Sequence, residues 1–268
     1  MNVNFYEPVK IKDLVKIIWE QQSDDPMNWQ ILPSGSVELI FNIGPKMENI
    51  KAKRIGNGFN PTENFCFLSG LHTKPLYMNF PRFHVMGVQM YPIAVKALFG
   101  IPCMEVKDWA VPGELLFHEI NKIEDYMCGN HSFFEKAKWI ESFLLSLINE
   151  NIELYTAMKM KDTLSKMYSN RLMGKKYSIE NLTGYSRMHA HRLFTDWFGL
   201  SPARNLKLLQ FTNSLTYLHF APEKLTDIAF EKGFYDQAHF IHNFREFANM
   251  TPGQYRKRKT NLVGQLSC

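Results

Sequence analysis

Residues 237–245, QAHFIHNFR, set Gln237, His239, His242 and Arg245 among phenylalanines, and residues 187–192, RMHAHR, bring together Arg187, Met188, His189, His191 and Arg192. Two chemistries compete for such sets. Paired histidines suggest metal ligation, but His189 and His191, two apart on a helix, point to different sides, and no cysteine or carboxylate cluster completes a tetrahedral set for either pair. No metal is therefore expected. The other chemistry is hydrogen bonding to base edges and phosphates, in which glutamine matches adenine and arginine matches guanine or phosphate. Both segments suit it.

Such side chains need elements that hold them outward. Around the second segment, Thr226 is expected to cap a helix, with Asp227 in its first turn, and Gly233 to stop it after Lys232. Asp236 would cap the next helix, whose Phe240, Phe244 and Phe247 fall on one buried face. Small Ala229 lets the two helices cross closely, and Phe234 wedges between them. The pattern predicts a helix-turn-helix, at about 226–248, whose second helix presents Gln237, Ala238, His239, His242 and Arg245. Residues 175–199 repeat the scheme. Ser186 caps a helix that buries Leu193, Phe194, Trp197 and Phe198 and presents Arg187, Met188, His189, His191 and Arg192. Gly199 ends that helix and Pro202 opens another, at about 203–220. This connecting helix would be about 25 Å long, enough to hold two recognition helices about one DNA turn apart.

Charge points the same way. The chain has 268 residues, 45% apolar and 21% charged, a composition that is globular and long enough for two cores. Residues 152–268 carry 17 Lys+Arg against 9 Asp+Glu, a net of +8, while residues 1–151 carry 14 against 17, a net of −3. A basic half predicts a polyanionic partner. The run Arg256-Lys257-Arg258-Lys259 reads equally as a phosphate contact or a solvated tail. Cys66, Cys103, Cys128 and Cys268 have no C-x-x-C spacing, so free thiols in a reducing cytoplasm are expected. Neither Cys66 nor Cys103 has the basic neighbours of a redox switch. No leader-like start and no apolar run of about 18 residues is present, so no membrane partner is expected.

Before residue 130 the chain has another character. LPSGSVELIFNIG (32–44) alternates after a Ser34-Gly35 turn as a half-buried strand does, GNGFNP (56–61) reads as a turn, and HVMGVQM puts His84, Met86, Val88 and Met90 on one face. Residues 11–21 fit helix or strand; 92–100 fit a short helix from Pro92 to Gly100. Phe133, Ala137, Ile140, Leu144, Leu147 and Ile148 make a helical stripe suited to a domain core, to an interdomain contact or to dimerisation. A further amphipathic helix is expected over 152–168. The fold class expected is an α+β N-terminal domain, with a barrel-like or sandwich sheet and helices, followed by an all-α domain. The boundaries are 1–130 for sensing or dimerisation, 131–151 for a connecting helix, and 152–260 for DNA binding. Within the first, Trp19, Trp29, Phe41, Phe65, Phe67, Tyr77, Phe80, Met86 and Met90 are aromatic or sulfur-bearing side chains that fit an effector pocket or plain core. Phe41, Tyr77, Met86 and Met90 are the pocket residues chosen.

The C-terminal region resembles the AraC/XylS family of bacterial transcription regulators. The resemblance rests on Ile228-Ala229-x-x-x-Gly233-Phe234-x-Asp236-Gln237-x-x-Phe240-x-x-x-Phe244-Arg245 and Thr251-Pro252-x-x-Tyr255-Arg256, and covers about 175–258. It implies two helix-turn-helix units joined by a long helix. Base- or phosphate-facing positions would be Arg187, Met188, His191 and Arg192 in one unit and Gln237, Ala238, His239 and His242 in the other. Departures from the family pattern are Glu180 for a small alanine, Ala190 for leucine, Gln210 for arginine, Ser214 for alanine and Asn249 for glycine. LPSGSVELIFNIG, the Gly70-Leu71 turn and VMGVQMYPIAVKALFGIP resemble a sensor region found upstream of this domain in some AraC-type regulators. The function implied is sequence-specific DNA binding under effector or dimerisation control, in the cytoplasm and at the nucleoid. Expected partners are double-stranded DNA, a small-molecule effector, a second copy of the chain and, for an activator, RNA polymerase. Two alternatives stand beside it. One is a protein-interaction module with a degenerate first unit; the other, an enzyme with an appended DNA-binding domain, lacks a catalytic constellation. No cofactor is expected.

Overall fold

A computed structural model describes residues 2–25, 27–44, 64–80, 82–148 and 154–267. The 56–61 turn and residues 149–151 of the expected connection lie outside them. The N-terminal half supplies β1 (Asn2–Tyr6), β2 (Val15–Ser23), β3 (Met27–Ile31), β4 (Val37–Asn42), β5 (Cys66–Ser69), β6 (Leu76–Phe80), β7 (Phe83–Met90), α1 (Ile93–Phe99) and β8 (Ala110–Pro112). Helices follow: α2 (Ile120–Cys128), α3 (Phe133–Ser146), α4 (Leu154–Leu172), α5 (Ile179–Thr183), α6 (Arg187–Phe198), α7 (Pro202–Phe220), α8 (Leu225–Glu231), α9 (Gln237–Ala248) and α10 (Pro252–Arg258). The chain then returns to strand in β9 (Gln265–Ser267).

An antiparallel six-stranded sheet runs β1-β2-β7-β4-β5-β8, and a three-stranded sheet runs β6-β3-β9. The sheets face each other without closing into a barrel. Residues 11–21, compatible with either periodicity, resolve into a turn and the strand β2. Strand wins because Val15, Ile17 and Ile18 are β-branched and β2 is hydrogen-bonded on both sides, to β1 and β7. On β4 the expected alternation holds. Val37, Leu39 and Phe41 are fully buried on one face, while Glu38, Ile40 and Asn42 line the space between the sheets. α1 ends at Gly100 as expected.

α3 starts in a capping box, Ser132 with Glu135, and fastens to the sheet through Glu141. That carboxylate accepts from the Tyr6 hydroxyl at 2.7 Å and the Lys10 N–H at 2.6 Å. Buried apolar side chains of both halves form one connected core, from Leu39 and Met86 through Ile140 and Met160 to Phe211 and Phe244. α3 thus contributes to that core, and its interdomain role is contact with β1.

The C-terminal domain follows the expected local chemistry with one shift. Ser186 Oγ accepts from the His189 N–H at 3.3 Å, Asp236 Oδ1 from the His239 N–H at 2.7 Å, and Pro202 opens α7. Asn249 takes the left-handed conformation at φ 54°, as its place in the family pattern requires. Thr226 is not the cap of α8. Lys224 is, because its carbonyl already accepts from the Asp227 and Ile228 N–H groups at 3.1 and 3.2 Å, which starts the helix before Thr226.

Candidate nucleic-acid interface and internal cavity

α6 and α9 are the second helices of the two units. α6 buries Ala190, Phe194, Trp197 and Phe198, and α9 buries Phe240, Phe244 and Phe247. Phe234 wedges behind α9, 5.0 Å from the Phe240 ring. With those faces committed, Arg187, Met188, His191 and Arg192 stand exposed on α6, and Ala238, His242 and Arg245 on α9; Gln237 is half-buried at the start of α9. Met188 keeps 82% of its surface. α7, with 19 residues, is about 28 Å long and spaces the units.

Two histidines of the proposed sets do other work. The His239 Nδ1 accepts from the Tyr235 N–H at 3.2 Å, and its ring lies edge-on to Phe234. Burial, then the nearby Arg171 charge, hold its pKa below the usual histidine value, so the ring is neutral with its proton on Nε2. His189 packs against Tyr185 at 4.7 Å and its Nδ1 sits 3.0 Å from the Arg192 guanidinium. It orients that arginine. Neither His189–His191 nor His239–His242 belongs to a metal-ligand cluster among the described residues. Tyr235, 82% exposed beside the start of α9, was not singled out from sequence. Its only signal is its place between the wedge Phe234 and the cap Asp236.

The substituted positions are absorbed into packing. Gln210 is buried and its amide donates to the carbonyls of Lys232 and Gly233, at 3.3 and 2.9 Å, tying α7 to the turn of the second unit. Arg171 of α4 donates to the same Gly233 carbonyl at 3.0 Å. Ala190 and Ser214 are fully buried, while Glu180 stays near the surface. The basic run 256–259 is neither a free tail nor wholly a phosphate contact. Arg256 donates to the carbonyls of Ala221 and Glu223, Lys259 to that of His219, and Arg258 to Gln30 Oε1 at 3.4 Å.

Both units lean on the N-terminal half. Lys96 of α1 pairs with Asp196 of α6 and lies 4.8 Å from the Trp197 ring. Gly199, left-handed at φ 72°, lets the end of α6 approach Cys103 so closely that an added Cβ would meet its carbonyl at 3.1 Å. At the other end, β9 pairs with β3 in the register Trp29↔Ser267, Gln30↔Leu266, Ile31↔Gln265. The turn before β9 is anchored by Tyr255, whose hydroxyl accepts from the Gly264 N–H at 3.3 Å and bonds His219 Nδ1 at 2.7 Å.

Between the sheets lies a cavity of about 420 Å³. β1 and β2 contribute Val3, Phe5, Ile17, Trp19 and Gln21; β3, β6 and β7 contribute Trp29, Ile31, Met78, Phe83 and Val85. Residues 262–265 of the C-terminal tail close part of the wall. Gly87 makes room for it: a Cβ there would fall 2.2 Å from the Trp19 indole. Of the aromatic and methionine residues named from sequence, Trp19, Trp29 and Phe67 line this space. The four chosen do not. Phe41, Met86 and Met90 are fully buried on the opposite face of the sheet, and Tyr77 is 38% exposed. Alternation distinguishes two faces, and the more apolar one packs on helices. Cys66 and Cys103 are buried, which raises both thiols, Cys103 to about 12.

A family profile for a helix-turn-helix domain matches residues 180–258, and one for a domain of unknown function (DUF6597) matches residues 7–112. Among curated relatives, the probable transcription factor PqrA of Proteus vulgaris is 30% identical over 83 residues, 31% of this chain and 68% of that protein. The uncharacterized HTH-type transcriptional regulator YbfP of Bacillus subtilis (strain 168) is 32% identical over 78 residues, 29% of this chain. That match spans only 26% of YbfP, and matches to staphylococcal HTH-type regulators span 10% of those proteins. Among solved structures, ToxT from Vibrio cholerae is similar over 96% of this chain and 97% of its own, at 10% identity and a TM-score of 0.48. The matched residues are those that build the two units, and the chain belongs to the AraC/XylS family of helix-turn-helix transcriptional regulators.

Proposed function

We propose that this protein is a sequence-specific regulator that sets α6 and α9 into successive major grooves and responds to a small molecule held between its sheets. The observation that carries the reading is the exposure of Arg187, His191 and Arg192 on one recognition helix, and of Ala238, His242 and Arg245 on the other, over fully committed inner faces. Gln237, at the first turn of α9, is the residue suited to adenine. The closely packed first unit supports DNA contact by both units over a degenerate interaction module.

Control follows from the two attachments. An occupant of the cavity touches residues 262–265, and through Gly264 and Tyr255 that tail reaches α10 and the core beneath α9. Contact of α3 with β1 is a second route, since Val3 and Phe5 line the same space. Selection from a random DNA pool by the full-length protein tests the DNA reading. Enrichment of two short boxes about 10 base pairs apart is expected. Binding should fall steeply with salt, by a factor of ten or more between about 50 and 200 mM. A shallow salt response with no enriched site overturns the reading.

A further inference from the structure

The cavity wall is apolar and aromatic except for one band. Gln89, Glu38 and Ser69 are register partners on the adjacent strands β7, β4 and β5, so their side chains line up across the sheet, and His72 extends the row by bonding Ser69 Oγ at 2.7 Å. All four line the cavity. Glu38 lies deep in the protein, and Gln89 Nε2 donates to its Oε1 at 3.0 Å. No cation stands within 4 Å of it among the described residues. Lys16, the cation whose charge acts on Glu38, lies outside the lining and beyond ion-pair distance; its ammonium donates to Ser36 Oγ at 2.7 Å and faces the Tyr91 ring. Lys161 of α4 also faces that ring and holds the Asp13 carbonyl.

Among the described residues, the ionisable side chains of the lining are therefore Glu38 and His72 alone. Burial holds His72 down to about 4, so it is neutral near pH 7, and burial raises the Glu38 carboxyl. An occupant with a carboxylate would bring its charge beside the Glu38 carboxyl in a low-dielectric space whose lining offers no cation among the described residues. An occupant with an ammonium would hold Glu38 in its ionised form against the burial that disfavours it, and the indoles of Trp19 and Trp29 would face that charge or the apolar body beside it.

We propose that this cavity binds an organic cation, an apolar molecule bearing a single amine or ammonium, whose nitrogen pairs with Glu38. The proposal rests on the reading of the N-terminal region as an effector domain and names the class of ligand.

Three probes with one body and different heads test it on the full-length protein: 4-phenylbutylamine, 4-phenylbutanol and 4-phenylbutanoate. Binding is read by melting temperature and by tryptophan emission, since two indoles line the cavity. The amine is expected to bind about tenfold or more tighter than the alcohol, with no response to the carboxylate. Glu38→Gln, which keeps shape and hydrogen bonding, should remove that preference. If the variant does not fold, the ranking of heads on the native protein decides alone. Equal or better binding of the alcohol or carboxylate, retention of the preference in Glu38→Gln, or no binding by the amine overturns the proposal. DNA affinity is measured on the same samples. Amine binding that leaves DNA affinity unchanged sinks the effector reading while the cation site stands; carboxylate binding that changes DNA affinity does the reverse.

Discussion

Arg192 and Gln237 are expected to fail in different ways when cut back to alanine. Gln237 can address one base pair, so Gln237→Ala should relax preference there by about 1–3 kcal/mol while leaving binding to unrelated DNA nearly unchanged. Arg192 lies 3.0 Å from His189 Nδ1 and stands exposed at the surface. Arg192→Ala should weaken binding to all sequences and reduce the salt slope by about 1. Titrations of matched and mismatched duplexes at several salt concentrations separate the two. His72 gives a prediction about stability. Its native pKa, about 4, lies below that of the unfolded side chain, about 6.5. The unfolded chain therefore takes up this proton first, and stability is lost as pH falls from about 6.5 to 4, by an amount on the order of 3 kcal/mol. Denaturant midpoints across that range should fall less in His72→Gln. The residue scale also shows what sequence could carry. Caps and the Phe234 wedge depend on neighbours a few positions away, so Ser186, Asp236 and Phe234 were legible. The cavity band was not. Glu38 alternates with apolar residues as a solvent-facing side chain would, and only the second sheet turns that face inward.

Among the elements, the end of α6 is the most exacting. Gly199 is left-handed and lies against Cys103, so Gly199→Ala would add about 1 kcal/mol of backbone strain and press a methyl group on the N-terminal half. A melting temperature several degrees lower is expected, with easier proteolysis between α4 and α6. An unchanged melt would mean that this contact is loose. β9 is among the elements that sequence reasoning missed. Three residues after a basic run carry no periodicity, and the domain boundary expected at 260 leaves the segment outside any domain. Its pairing with β3 is a long-range event, invisible in local pattern. The second helices of the two units, α6 and α9, were legible for the opposite reason, each having a cap, an apolar stripe and a stop within or beside its own length.

At the scale of the molecule, the N-terminal half touches the helix-turn-helix half at both ends, through α1 and Cys103 at α6 and through β9 beyond α10. A fragment of residues 152–268 keeps both recognition helices but loses both supports. It is expected to select the same DNA boxes as the full chain, with an affinity that no cavity ligand changes. A ligand response in the fragment would place the control within the helices. The family and its two-unit plan were readable because the spaced signature covers the whole second unit. The way the halves lock was not, since it depends on a tail and a turn distant in sequence.

The short pairing of β9 has a kinetic consequence. Three residues of ladder are too few to persist as an independent contact. Here the strand is carried by α10, only a few residues from its partner sheet, so rebinding is intramolecular and occurs at an effective concentration in the millimolar range. A contact that is individually weak is then mostly closed yet opens often. Its open fraction shifts with a small change in free energy, and a molecule that touches residues 262–265 is placed to supply that change.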